Sequence, residues 1–324
     1  MLSRDSHAAS EHRGGSDYHW YKVGGPGQEL LYSKNRVILG YLEHKAEIDQ
    51  QLSTMYANGQ RRLRIGIEFA NDDAPNRLHI TNGDFAPEDA AQIAALLASI
   101  KGIGFEEVYV NINGGGANNN VRNWTEWSDA VYRENCSVIS HAREITKASG
   151  LPYLLDLGGE YTPVLNGQEI RVQYCRRLWA DYSTTFGTDD TVGFSIIAGI
   201  SNDRYGHLRD IYGDNPPKAF DLHIYARRDE TNGNYTESSY QRFMYAHKRI
   251  ADVGYGNIPW IIGECFYNDG LEADQLAQAI KETQQRILFL LQFPHVRPPF
   301  PKPPHYSDVD VVPLQFDQYI TRGF

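Results

Sequence analysis

The segments Leu154-Leu155-Asp156-Leu157-Gly158-Gly159-Glu160 and Trp260-Ile261-Ile262-Gly263-Glu264 decide how this chain is read. Each is an apolar run that stops at a glutamate preceded by glycine, and an aromatic-bearing loop follows each. Short apolar runs bounded by glycine read as buried parallel strands. Working outward from these two, strand-like runs alternate with helical patterns almost throughout. The further runs are Arg36 to Leu42, Leu63 to Phe69, Glu107 to Ile112, Val192 to Ala198, Ala219 to Tyr225 and Ile287 to Leu291. Helical patterns fall at His44 to Asn58, from Pro87, at Trp124 to Ser149, Arg171 to Thr185, Leu208 to Tyr212, Ser238 to Val253 and Glu272 to Gln285. Eight strands with helices and short connections between them predict the α/β class and a single (β/α)8 TIM barrel.

The 324 residues carry a net charge of −10 and no dense Lys/Arg block. That excludes a nucleic-acid backbone as partner, which needs clustered cations. No run of apolar residues is long enough to span a membrane, so no membrane partner is expected. Three widely spaced cysteines, Cys136, Cys175 and Cys265, form neither a zinc pattern nor a disulfide framework and read as buried thiols, with one bridge between Cys136 and Cys175 on neighbouring helices as the alternative. Residues 1–16 read as a disordered leader without the apolar core of a secretory signal. A signal removed earlier would leave the same N-terminus, so the compartment stays open, as does the oligomeric state. Residues 17–324 read as the barrel domain, closed by a Pro-rich C-terminal strap on the surface.

In a parallel barrel, carboxylates at the C-terminal strand ends stand on the face where chemistry occurs. By strand alternation, Glu160 shares a face with Asp156 and Gly158, and Glu264 with Ile262 and Trp260. His223 and Tyr225 share a face of the sixth strand, Arg64 and Glu68 one of the second. Two facing glutamates suit glycosyl transfer to water, one as proton donor and one as nucleophile, with carboxyl groups about 5–5.5 Å apart. The nucleophile must stay charged, and a nearby arginine helps. The donor must hold a proton, so apolar neighbours or the other carboxylate should raise its pKa. Glu68 is a third rim carboxylate, either a partner for Arg64 or a substrate contact. Trp124, Tyr161, Phe266 and Tyr267 are expected on loops where rings stack on sugars, with Trp127 as a helix-packing alternative.

These residues resemble clan A retaining glycoside hydrolases, the cellulase-like barrels. The likeness rests on Arg64, on the His-x-Tyr of His223 and Tyr225, and on the glutamates ending strands four and seven. It implies Glu160 as acid/base, Glu264 as nucleophile, Arg64 and Tyr225 holding the nucleophile ionised, and His223 lining the sugar site. No cofactor or metal is implied, and the partner is a β-linked polysaccharide or oligosaccharide. Where the clan has asparagine before its acid/base, this chain has Gly159. Either Asn111 or Asn113 then supplies the contact to the sugar 2-hydroxyl, or the glycine leaves room for a substituted 2-position, as in a decorated or bacterial exopolysaccharide. Two alternatives compete. A divalent-metal sugar isomerase or epimerase would use Glu160, His223 and Glu264 as ligands, but the fifth strand lacks the expected Asp. A non-catalytic sugar-binding barrel would bind without turnover.

Overall fold

The computed structural model describes residues 14–23, 36–229, 231–303 and 311–324. Eight parallel strands follow one another around a barrel. They are Gly15–Asp17, Arg62–Ala70, Glu107–Gly114, Tyr153–Asp156, a fifth in two halves (Thr191–Gly193 and Ile196–Ile197), Phe220–His223, Trp260–Glu264 and Ile287–Gln292. The first strand pairs with both the second and the eighth. One half of the fifth pairs with the fourth and the other with the sixth, so the sheet closes on itself across Phe194 and Ser195.

Helices separate the strands, and four of those described have a local cause. Pro87 opens the helix Pro87–Ile103 with Glu88 and Asp89 at the positive end of its dipole, and left-handed Gly104 ends it. Ser128 caps Asp129–Ala148, Asp269 caps Gly270–Thr283, and Ser238 with Gln241 forms a capping box on Ser239–Asp252. Inside the barrel, Tyr109, Leu154, Val192, Ala219, Ile261, Phe289 and Leu291 make one cluster. The larger core lies between the strands and the helices. Among the described residues, no helix is long and apolar enough to cross a membrane.

Two expectations are corrected. Arg36 to Leu42 is not the first strand; Val37–Gly40 is a buried helical turn. A four-residue apolar run fits either state, and only packing decides. The strand position belongs to Gly15–Asp17, so two residues of the expected leader are barrel; residues 1–13 lie outside the described residues. A Cβ on Gly15 would sit 1.8 Å from the Arg62 carbonyl oxygen, so glycine permits the approach that closes the barrel. Nor is the described end of the strap a surface feature. Phe316 and Tyr319 are fully buried, and Gln60 donates to the Pro313 carbonyl at 2.8 Å. Residues 304–310 of the strap lie outside the described residues. The three cysteines are free.

Candidate active site

The floor of the mouth is a buried ionic layer. Arg64, 2% exposed, donates to Asp17 Oδ2 at 2.7 Å and to Glu264 Oε1 at 2.5 Å, and stands 3.7 Å from Asp156. Asp17 also faces His19 at 3.0 Å. Tyr109 donates to Asp221. Asp17, His19 and Tyr109 carry no signal in the sequence, whereas Asp156 and Asp221, expected deep in the barrel and paired with core polar groups, are found so. Asp17 and His19 sit in the polar N-terminal stretch, where nothing signals a strand.

Glu264 ends its strand as expected, but alternation does not aim it. Trp260 and Ile262 face the helices, with Trp260 against Phe243 at 5.0 Å between ring centroids. A register shift against the sixth strand between Ile262 and Glu264 turns the glutamate into the mouth. Gly263 assists, since a Cβ there would meet Asp221 at 2.0 Å. Tyr225 donates to Glu264 Oε2 at 2.9 Å. With Arg64 on the other oxygen, the carboxylate is hydrogen-bonded from two sides.

Glu160 also departs from the alternation. The fourth strand stops at Asp156, and Glu160 lies beyond it in the left-handed region at φ 58°. The turn is pinned on three sides. Glu160 N donates to Ser195 Oγ at 2.6 Å, Gly159 N to Asn113 Oδ1 at 2.6 Å, and Arg122 donates to the Gly159 carbonyl. An uncommon backbone state this well determined is a feature of functional turns.

His223 joins the two glutamates. It is 1% exposed, and its Nδ1 lies 3.0 Å from Glu160 Oε1 and 3.4 Å from Glu264 Oε1, while Nε2 lies 3.4 Å from Asp221. It reaches the site through the carboxylates rather than as a wall for a sugar. One ligand-type atom from each of Glu160, His223 and Glu264 lies within 4.8 Å of the others. Burial opposes charge on His223, but Glu264, Asp221 and the bond to Glu160 raise its pKa well above the ordinary value. Burial raises Glu160, yet His223, Arg122 and Arg64 outweigh it and bring it to about 2. The expectation of a raised donor pKa is corrected: the surrounding cations lower it and favour the proton on the imidazole.

The remaining expected site residues divide. Asn111 is buried and donates to Asp156 at 2.7 Å; Asn113 donates to Asn111 at 2.7 Å. Their amides fill the space beside Gly159, where a Cβ would lie 2.7 Å from each Nδ2. The glycine therefore makes room for these two side chains rather than for a substrate group. Glu68 pairs with Arg36 and, at 2.9 Å, with Arg77, not with Arg64. Tyr161 is buried with its hydroxyl on the Gly114 carbonyl, so it offers no stacking face. Trp124 packs edge-on against Trp127 and Tyr174. Tyr267 accepts from Gln315 N at 3.2 Å in the C-terminal segment. Phe266 sits by Tyr225, 5.0 Å between centroids, and both line a cavity of about 520 Å³ with Tyr235, His295 and Phe300.

Could the three central groups hold a divalent ion? They supply a nitrogen and carboxylate oxygens, a reasonable donor set. Arg64 already occupies Glu264 Oε1, so a cation would have to lie beside a buried guanidinium.

No family model matches the chain, and no curated protein matches its sequence. Solved structures do match. GH5_18 from Bifidobacterium longum subsp. longum ATCC 55813 superposes with a TM-score of 0.61 at 11% identity, over 97% of this chain and 78% of that one. GH5_18 from Streptomyces cattleya, in complex with GlcNAc, gives 0.59 at 11% identity, over 96% and 78%. An endo-β-1,4-glucanase from Xanthomonas axonopodis pv. citri gives 0.56 at 10% identity, over 85% and 90%. These likenesses establish the (β/α)8 fold.

Proposed function

We propose that the protein is a retaining β-glycoside hydrolase in which Glu264 is the nucleophile and Glu160 the acid/base. The observation that carries this reading is the imidazole of His223 standing between two carboxylates at 3.0 and 3.4 Å. An oxygen of each carboxylate lies within 4.8 Å of the other, which suits double displacement, because an inverting pair stands farther apart to admit a water, at about 6.5–9.5 Å. The similar folds include an endo-β-1,4-glucanase and a protein crystallised with GlcNAc, which favours a β-linked glycan as substrate.

The proton inventory gives the order of events. Before reaction, Glu264 is an anion between Arg64 and Tyr225, and His223 carries the proton. As Glu264 Oε attacks the anomeric carbon, it becomes an ester and loses its charge. The strongest of the attractions raising the His223 pKa then disappears. The imidazole passes its Nδ1 proton to Glu160 Oε1 across 3.0 Å, and the Glu160 carboxyl protonates the departing glycosidic oxygen. In the second half, Glu160 takes a proton from the attacking water, the ester bond breaks, and the proton returns to His223.

The test is hydrolysis of a panel of β-linked polysaccharides, followed by NMR of the first-formed anomer. We expect the substrate's own anomer, and no cleavage by Glu264→Gln. An inverted first product would refute the mechanism. A second reading, a metal-dependent isomerase, has the Glu160, His223 and Glu264 cluster in its favour. It requires activity that a chelator abolishes and Mn²⁺ or Mg²⁺ restores. Binding of glycans with no turnover on any of them would mark a sugar-binding barrel.

A further inference from the structure

Three arginines stand on the Glu160 side of the mouth, and beyond the hold of Arg122 on the Glu160 turn that mechanism gives them no step. Arg122 lies in the turn Val121–Asn123, Arg171 in the first turn of the helix Glu169–Phe186, and Arg204 after the fifth strand. They are far apart in sequence, so no basic run announces them. Arg122 stands 3.6 Å from Glu160 Oε2. Arg204 donates to the Thr162 carbonyl at 2.6 Å. Arg171 Nε is buried without a hydrogen-bond partner, and no carboxylate among the described residues supports its charge. Burial and then repulsion by Arg122 lower the Arg171 pKa. Burial lowers that of Arg204 too, against the pull of Glu160, with Arg171 and Arg122 adding repulsion.

Three guanidinium groups that repel one another, with Glu160 offsetting only Arg122 and Arg204, are costly to bring together. The chain as a whole carries a net −10, so the cluster is no reflection of a basic surface. Glu169 is at the rim, exposed. A cleft of about 210 Å³ opens at this place, lined by Arg122, Trp124, Gln168, Glu169 and Arg171 among others. An oxyanion entering it would supply the missing counter-charge, and guanidinium forks match a carboxylate or sulfate in shape. Neutral hydroxyls would leave the repulsion in place.

We propose that Arg122 and Arg171, which line this cleft, form a subsite to whose positive field Arg204 adds, for an anionic sugar that carries a carboxylate or a sulfate ester on the leaving-group side of the scissile bond. The proposal rests on Glu160 as the acid/base, because that places the departing sugar on this side. It gives the substrate class as an acidic glycan.

The test is calorimetric binding of three probes that a β-glycosidase leaves intact: methyl α-D-glucuronoside, D-glucose 6-sulfate and methyl α-D-glucoside. We expect at least one anionic probe to bind about tenfold tighter than the neutral one. The gap should shrink in Arg171→Gln and in Arg204→Gln, survive in Arg171→Lys, and narrow with added salt. Whichever anion gains identifies the group as carboxylate or sulfate. Equal binding of all three probes, or a gap unchanged in both glutamine variants, overturns the proposal. The glycosidase reading fails independently. An arginine-dependent anion preference without turnover of any β-glycan keeps the subsite and removes the hydrolase. Turnover of neutral glycans with no anion preference does the reverse.

Discussion

At the scale of single residues, the two glutamates have different neighbourhoods and should fail differently. Glu264→Gln keeps the shape but removes the attacking charge, and turnover should fall by several orders of magnitude with the fold intact. Glu160→Gln should keep a fast first step, read as kcat/KM or a burst of leaving group, on substrates whose leaving group needs no proton, such as activated aryl glycosides, while the second step, which uses Glu160 as base, stays slow. Equal losses on activated and unactivated substrates would contradict the assignment of Glu160. Arg64→Met leaves Asp17 and Glu264 without their shared cation, and should cost about 3–5 kcal/mol of stability, read by denaturant unfolding. Asn113 stands where Gly159 leaves space. If it replaces the clan's asparagine, Asn113→Ala should lower kcat/KM on a substrate with a free 2-hydroxyl and leave the 2-deoxy analogue unchanged. Of the central residues, Glu160, Glu264, Arg64, His223 and Tyr225 were legible because each lies in or just beyond an apolar strand. Asp17, Arg122 and Ser195 gained their importance only from neighbours distant in sequence. The aim of both glutamates was illegible, since one depends on a left-handed turn and the other on a register shift.

At the scale of elements, seven of the eight strands could be read from apolar runs, and all seven helices from periodicity and capping residues. The first strand could not, because Gly15-Ser16-Asp17 is polar and its burial comes from closure of the ring. That strand should be unusually intolerant of change. Gly15→Ala drives a methyl group into the Arg62 carbonyl and should cost at least about 2–3 kcal/mol, measurable as a lowered Tm. The helix Gly270–Thr283 offers a pH test. Burial raises buried Glu272 to about 8 despite its pairing with Arg297 at 2.7 Å. The folded state thus holds that proton more tightly than the unfolded state, where the value is near 4.5. Its contribution to stability is present at low pH and fades as pH rises from about 4.5 to 8. Glu272→Gln removes this titration. The difference in unfolding midpoint should therefore move in the variant's favour across that window, and a constant difference would mean the carboxyl is ionised throughout.

At the scale of the whole molecule, closure also depends on the C-terminal segment, which joins the first strand to the loop after the seventh. The C-terminal segment buries Phe316 and Tyr319, and Tyr319 donates to the Phe266 carbonyl at 2.5 Å. Ending the chain at residue 310 should expose this apolar face and cost on the order of 3–5 kcal/mol for each buried aromatic lost, seen as aggregation or a large loss in thermal midpoint. The ring has a second weak place, where the fifth strand gives up its ladder at Phe194 and Ser195. Ser195 is also the residue whose hydroxyl holds the Glu160 amide. A seam with few ladder bonds opens locally at less cost than the rest of the barrel. Heat should therefore silence the protein before it melts it. Inactivation on warming should precede the loss of near-ultraviolet dichroism and reverse on cooling, and Ser195→Ala should widen the interval between the two.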